Sequence, residues 1–186
     1  MEIFLETQRL ILRRFTKADV DLLVELDSDP EVMRYINGGR STPREEVEQT
    51  LLPKYLGWHR RWESLGRWPA IEKATGAFIG WFHLAPREGD PEDELALGYR
   101  LKRSAWGKGY ATEGSRALVE KAFTELGARR VYAETMTVNV ASRRVMEKAG
   151  LRYVRTFHLD WPEEIEGTAE GDVEYVITRA EWERRR

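Results

Sequence analysis

The segment Leu101-Lys102-Arg103-Ser104-Ala105-Trp106-Gly107-Lys108-Gly109-Tyr110-Ala111-Thr112-Glu113 is where residue type and spacing first suggest chemistry. It joins a strand-like run to an amphipathic helix whose apolar face is Leu118, Val119, Ala122, Phe123 and Leu126. Gly107 and Gly109 flank Lys108 at the helix start. Glycine lets a backbone approach a ligand closely, and the unpaired N–H groups at the positive end of a helix attract phosphate. A cofactor bearing a pyrophosphate is the natural guest. A plain glycine-rich turn at a helix start would show the same two glycines. The loop lacks the glycine spacing of a dinucleotide fingerprint and the Gly-Lys-Ser/Thr of a P-loop, which disfavours nucleotide phosphotransfer.

The elements that must hold this loop follow from periodicity. Leu10 and Leu12 alternate with Ile11 and Arg13, which predicts a strand over 9–14. Thr16, three residues before Asp19, opens a helix carrying Val20, Leu23 and Val24. Ser28-Asp29-Pro30 breaks it, a short helix follows at 30–36, and Gly38-Gly39 is a loop. Thr42 as N-cap, with Pro43 and Glu45 behind it, opens a helix running to about Leu65 that Pro53 must kink or split. Period two returns after Gly66. Strands are predicted at 67–74 and 77–85, joined by a turn at Thr75-Gly76, and at 94–101 beyond a polar loop. A helix at 108–126, a strand at 129–136, a helix at 140–149 and a strand at 151–159 follow. An acidic loop at 160–172, a strand at 173–179 and a short terminal helix complete the order. The pattern predicts an α+β fold, a mixed sheet flanked by helices.

Composition narrows the function classes. The 186 residues are 41% hydrophobic, with seven Trp, seven Tyr and six Phe, enough for a folded core. No repeat or linker divides them, so one domain over 1–186 is expected. The net charge of −2 offers no field for nucleic acid. The absence of cysteine excludes disulfides, Cys–zinc sites, iron–sulfur clusters and thiol nucleophiles. No apolar run approaches the roughly 18 residues of a membrane span, and the charged N-terminus has no signal-peptide core. A cytoplasmic protein without a membrane partner is expected.

Four further segments carry a resemblance. Glu94-Leu95-Ala96-Leu97-Gly98-Tyr99-Arg100-Leu101 precedes the loop, and Asn139-Val140-Ala141-Ser142-Arg143-Arg144-Val145-Met146-Glu147-Lys148-Ala149-Gly150-Leu151 follows it. Glu6-Thr7-Gln8-Arg9-Leu10-Ile11-Leu12-Arg13 opens the chain and Val173-Glu174-Tyr175 closes it. Together with the Trp-Gly-Lys-Gly-Tyr-Ala-Thr-Glu loop these resemble the GNAT superfamily of acyl-CoA-dependent N-acyltransferases. Within it they look like the RimJ/RimL-like branch, ribosomal-protein N-terminal acetyltransferases and their small-molecule-acetylating relatives. The resemblance implies a single-domain GNAT-like mixed, mostly antiparallel sheet whose central strands, 94–101 and 129–136, splay apart to admit acyl-CoA. It implies that the backbone of Tyr99, Arg100 and Leu101 bonds the pantetheine arm. The amides of Trp106, Gly107, Lys108, Gly109, Tyr110 and Ala111 would hold the pyrophosphate. Asn139 would contact the cofactor or fix the strand opening, and Ser142 would lie near the sulfur. The superfamily often has Gln or Arg where this chain has Ser104, and Arg103 could supply that charge. Trp106 is expected beneath the loop. Acetyl-CoA or another acyl-CoA is the implied co-substrate, with no metal.

Acyl transfer to an amine needs a base for the ammonium proton, donors at the thioester carbonyl and a proton for the leaving thiolate. Without cysteine to carry the acyl group, direct transfer in a ternary complex is expected. Glu94, Glu134, Glu72 and His83 are the candidate bases, with a water chain as the alternative. Glu134 shares a strand face with Tyr132 and Met136, where a carboxylate paired to an arginine across the sheet would look the same. His83 is a candidate because imidazole in general titrates near neutrality; a packed strand residue is the plainer reading. Ser142 is the family-aligned acid and Tyr153 its runner-up; a helix-capping hydroxyl and a packed aromatic are the plainer readings. Tyr55, Trp58 and Trp62 form one helical stripe, either core or acceptor wall. Tyr35, Trp58, Trp62 and His83 are the candidate acceptor residues.

Charge is unevenly placed. Residues 88–94 hold five acids and residues 160–174 hold seven, with no basic residue in either. An acidic entrance would concentrate a cationic acceptor: a protein N-terminus, a polyamine or an aminoglycoside. Two solvated acidic loops would look alike. The expected function is transfer of an acetyl or other short acyl group from acyl-CoA to a primary amine, with a homodimer possible. A catalytically silent CoA-binding sensor or scaffold of the same fold is the alternative.

Overall fold

The computed structural model describes residues 2–186. Eight strands hydrogen-bond in the order β1-β2-β3-β4-β5-β6-β8-β7, an open, mostly antiparallel mixed sheet of an α+β fold. The chain divides into two compact units, one running to His83 and adding Tyr99–Tyr110, the other made of Leu84–Gly98 and Ala111–Arg186.

In the first unit, β2 (Leu10–Arg13) buries Leu10 and Leu12 fully, as their alternation requires. A strand that alternation did not announce, β1 (Ile3–Glu6), pairs antiparallel with it. Its Phe4 ring stacks on Trp68 with centroids 3.9 Å apart, a long-range contact that four residues of local pattern cannot encode. Thr16 and Asp19 form the expected capping box, and Asp19 also holds Arg13 at 2.7 Å. Helices α1 (Val20–Asp27) and α2 (Pro30–Asn37) follow, α2 capped by the Asp29 side chain.

The next helical region departs from expectation. Pro43, not Thr42, is the N-cap of α3 (Arg44–Glu46), and the Thr42 hydroxyl instead donates to buried Asp27 at 2.9 Å. A π-helical turn, Val47–Leu51, leads into α4 (Leu52–Arg61). The wider turn sends the Leu52 N–H to the Val47 carbonyl, and Pro53, with no N–H to offer, comes immediately after. The proline is thereby absorbed without splitting the helix. The helix stops at Arg61, and Trp62 lies beyond it with extended backbone. Tyr55 and Trp58 therefore form the stripe without Trp62.

Strands β3 (Gly66–Glu72) and β4 (Phe78–Ala85) turn back through Gly76, whose φ of 71° suits glycine. Phe15, Leu23, Leu26, Val47, Leu52, Tyr55, Phe78 and Trp81 form this unit's core.

Strand β5 (Glu94–Leu101) belongs to the second unit as far as Gly98; there it runs parallel to β6 (Arg130–Met136), with Glu94, Leu95 and Ala96 opposite Arg130, Val131 and Tyr132. β6 pairs antiparallel with β8 (Asp172–Thr178), and β8 with the edge strand β7 (Arg152–Phe157). Helix α5 (Tyr110–Thr124) buries Leu118, Val119, Ala122 and Phe123 of the predicted apolar face, whereas Leu126 lies beyond its end and is only half-buried. Helix α6 (Val140–Lys148) connects β6 to β7, and α7 (Arg179–Glu183) ends the chain on a capping box between Thr178 and Glu181.

Candidate active site

The loop before α5 is built as a backbone cradle. After β5 a 3₁₀ turn, Arg103–Ala105, leads to Gly107 and Gly109, which have φ of 71° and 81°. These left-handed conformations strain any residue with a Cβ. A Cβ at Gly107 would meet nothing within 4 Å, so the space over the loop is open there. Arg9 braces the loop from below: its Nη1 donates to the Lys108 carbonyl at 2.8 Å and its guanidinium lies 4.3 Å from the Tyr110 ring centre. Tyr110 is buried and its hydroxyl donates to Glu72. One side chain differs from expectation. Trp106 does not pack beneath the loop; it is 46% exposed, and its indole N–H donates to the Leu101 carbonyl at 2.9 Å. Arg103 lies 3.2 Å from Asp29 and stays largely exposed.

In the second unit the β5–β6 register covers Glu94–Ala96 and Arg130–Tyr132, although β6 runs on to Met136. Leu97 and Gly98 lie past the last paired position. Asn139 fastens the far end of β6 to α6: its Nδ2 donates to the Thr135 hydroxyl at 3.1 Å and its Oδ1 accepts from the Ser142 N–H at 3.3 Å. Asn139 is thus the N-cap of α6. Arg143 reaches back to the Thr137 carbonyl and to the hydroxyl of buried Tyr175, which itself donates to Glu147.

The carboxylate candidates are already engaged. Glu72 accepts hydroxyls from Thr75 and Tyr110, which hold its carboxyl below the usual range. Glu94 sits between Arg129 and Arg130. Glu134 pairs with Arg87, beside Tyr132, whose hydroxyl donates to Asp90. Burial and that carboxylate push the Tyr132 phenol well above its ordinary value. Much of the acidic charge in 88–94 and 160–174 is likewise taken up: Asp93 by Arg129, Glu174 by Arg130 and Arg155, and Asp172 by the Trp161 indole. Tyr153 lies on the edge strand, 49% exposed, its hydroxyl 2.8 Å from that of Thr156 and its ring edge-on to Tyr175.

The first unit brings Trp58 and His83 together, ring centres 4.9 Å apart, with Tyr55 5.5 Å from Trp58. Tyr35 lies on α2 beside Arg34 instead, and Trp62 stacks under Arg61. Sequence reasoning missed the charged members of this face. Arg67 of β3 lies 3.7 Å from the Trp81 ring centre and 4.4 Å from that of Tyr55, and donates to the Tyr55 hydroxyl at 2.6 Å. The Arg100 side chain pairs with buried Asp27 at 2.7 Å. The signal was a lone arginine in the otherwise apolar run Gly66-Arg67-Trp68-Pro69-Ala70-Ile71.

The model of the acetyltransferase (GNAT) domain matches residues 9–152. The chain belongs to this GNAT acetyltransferase family. A relative from Aspergillus fumigatus, FsC-acetyl coenzyme A-N(2)-transacetylase, is 38% identical over 184 residues, 96% of this chain and 77% of its own. The crystal structure of a GNAT-family acetyltransferase from Bacillus anthracis superimposes with a TM-score of 0.77 at 26% identity, covering 97% of this chain and 99% of that one. RimL, a ribosomal L7/L12 α-N-protein acetyltransferase solved with coenzyme A, shares the fold with a TM-score of 0.76 at 18% identity over 95% and 98%. The GNAT chain described here is an acyl-CoA-dependent N-acetyltransferase. No helix among its described residues is long and apolar enough to cross a membrane, and no cluster of three or more His, Cys, Asp or Glu among them could hold a metal ion.

Proposed function

We propose that the chain acts as one N-acetyltransferase domain over 1–186, in the cytoplasm, moving an acetyl group from acetyl-CoA directly onto a primary amine. The observation that carries this reading is the pair of left-handed glycines, Gly107 and Gly109, just before α5, with open space over Gly107. Backbone N–H groups there, with the amides of Trp106, Lys108, Tyr110 and Ala111, fit a pyrophosphate. The backbone of Tyr99, Arg100 and Leu101 is proposed to hold the pantetheine arm, with Arg103 and Asn139 lining the same cofactor. Acetyl-CoA would supply an acyl group already activated as a thioester.

The protein's own groups then divide the proton work. Glu134, acting directly or through water, is proposed to accept the amine proton, with Arg87 orienting it. Ser142 is proposed to donate toward the leaving sulfur. Its place in the first turn of α6, fixed by Asn139, favours it over Tyr153, whose hydroxyl is engaged with Thr156 on an exposed edge. Tyr35, Trp58, Trp62 and His83 remain the proposed acceptor contacts, and the contact between Trp58 and His83 supports those two.

The motif string supports a place near the RimJ/RimL-like branch, and so a protein N-terminus as acceptor; polyamines and aminoglycosides complete the acceptor panel. A homodimer is proposed with it, supported by exposed Tyr153 and Val154 on the edge strand and checked by sedimentation velocity. Isothermal calorimetry with acetyl-CoA tests the cofactor site. Wild type is expected to bind, and Gly107→Val to lose most of that affinity while staying folded.

A further inference from the structure

We propose that Arg67 and Arg100 form an oxyanion subsite that selects amine acceptors carrying a carboxylate. The inference rests on the acetyl-transfer reading above and names its acceptor class.

The two guanidiniums share one aromatic face of the first unit. Arg67 comes from β3, Trp81 from β4 and Arg100 from β5, with Tyr55 and Trp58 on α4 closing the side. The Trp81 ring centre is 3.7 Å from the Arg67 guanidinium carbon and 5.0 Å from that of Arg100. Trp58 lies 5.2 Å from Arg67.

The charge here does not balance. Asp27 is the carboxylate that serves the pair, and it is spent on Arg100 and on the Thr42 hydroxyl. Arg67 has no ion-pair partner among the described residues; its hydrogen bond goes to a neutral phenol. The Nε atoms of both arginines are buried without a hydrogen-bond partner. Burial, with the Arg100 charge adding to it, pulls the Arg67 guanidinium down to about 10. A half-buried cation without a counter-ion is costly, and an apolar residue of similar volume would fill such a place at lower cost. Stacking on Trp81 and Tyr55 offsets part of this but satisfies no N–H. The missing component is an anion with acceptor oxygens. A carboxylate matches the planar fork of a guanidinium, and an aromatic wall suits the carbon chain behind it.

Matched amines test the idea: 4-aminobutanoate against n-butylamine, L-lysine against cadaverine, and L-phenylalanine against phenethylamine. Each is titrated against tryptophan fluorescence and used as acceptor with acetyl-CoA, at fixed ionic strength. A charge-assisted bond to a buried guanidinium predicts about tenfold or greater preference in kcat/KM for the carboxylate member of a pair. The preference should vanish in Arg67→Met, through KM, and persist in part in Arg67→Lys. Equal use of both members, preference for the carboxylate-free one, binding of no carboxylate member, or an unchanged ratio in Arg67→Met overturns the subsite. If Arg67→Met does not fold, the wild-type ratios and Arg67→Lys decide. Thiol release that ignores the carboxylate sinks the subsite alone, whereas no binding of acetyl-CoA sinks the acetyl-transfer reading itself.

Discussion

Gly80 and Arg100 touch through their backbones: a Cβ placed on Gly80 would stand 2.1 Å from the Arg100 carbonyl oxygen and 2.7 Å from the Leu101 Cα. Gly80 also has a φ of 138°, outside the range that side chains favour. Neither neighbour is the yielding end of a side chain, so the strands must part to admit a methyl group. Gly80→Ala is therefore expected to cost about 3 kcal/mol, as overpacking and strain combine. Urea unfolding measures it; a cost within about 0.5 kcal/mol of zero, the scatter of an ordinary surface change, would contradict the close approach.

Asp27→Ala should be the most damaging single change to the first unit. It leaves the Arg100 guanidinium buried without its carboxylate, a situation that costs about 3–5 kcal/mol. Adding Arg100→Met should recover part of the loss. A double variant as unstable as the sum of its singles would show that the pair is not coupled.

The acid limb of the stability curve should depend on Glu181. Hydrogen bonds from Arg152, from the Thr178 N–H and from the Thr178 hydroxyl hold its carboxyl down to about 2 against an ordinary 4.5. A folded-state value below the unfolded one stabilises the fold above about pH 4.5, and the contribution is lost as pH falls toward 2. Thermal midpoints of Glu181→Gln should fall less steeply than wild type across that window. Parallel curves would show that the capping box carries no linked proton.

Glu134→Gln and Ser142→Ala should each lower kcat by about 100-fold if they move protons, the lower end for general acid–base groups, and Tyr153→Phe should do little. Full activity in Glu134→Gln would assign Glu134 to its ion pair with Arg87 alone.

Local rules explain what was legible. The alternation of Leu10 and Leu12, the Thr16–Asp19 box and the Thr75-Gly76 turn encode structure within a few residues, and each appeared as expected. The glycine-flanked loop before α5 was readable for the same reason. What escaped depends on distant partners. Strand β1 is held by Phe4 on Trp68, and Thr42 left its helix for Asp27, fifteen residues back. A kink or split was expected at Pro53 because a π turn, which hides the missing N–H, has no local signature. The base candidates show the limit most plainly: sequence offers a carboxylate, but Arg87, Arg129, Arg130 and Tyr110 decide what it does. Arg67 passed unnoticed because a strand arginine usually faces water, and here it faces Trp81.

The most direct test of the account is release of free CoA thiol from acetyl-CoA, followed across the amine panel with the acetamide product identified by mass. Acetyl transfer predicts acceptor-dependent release, stoichiometric with acetamide and lost in Gly107→Val. Acetyl-CoA binding with no release on any amine would contradict it and leave a silent CoA-binding protein.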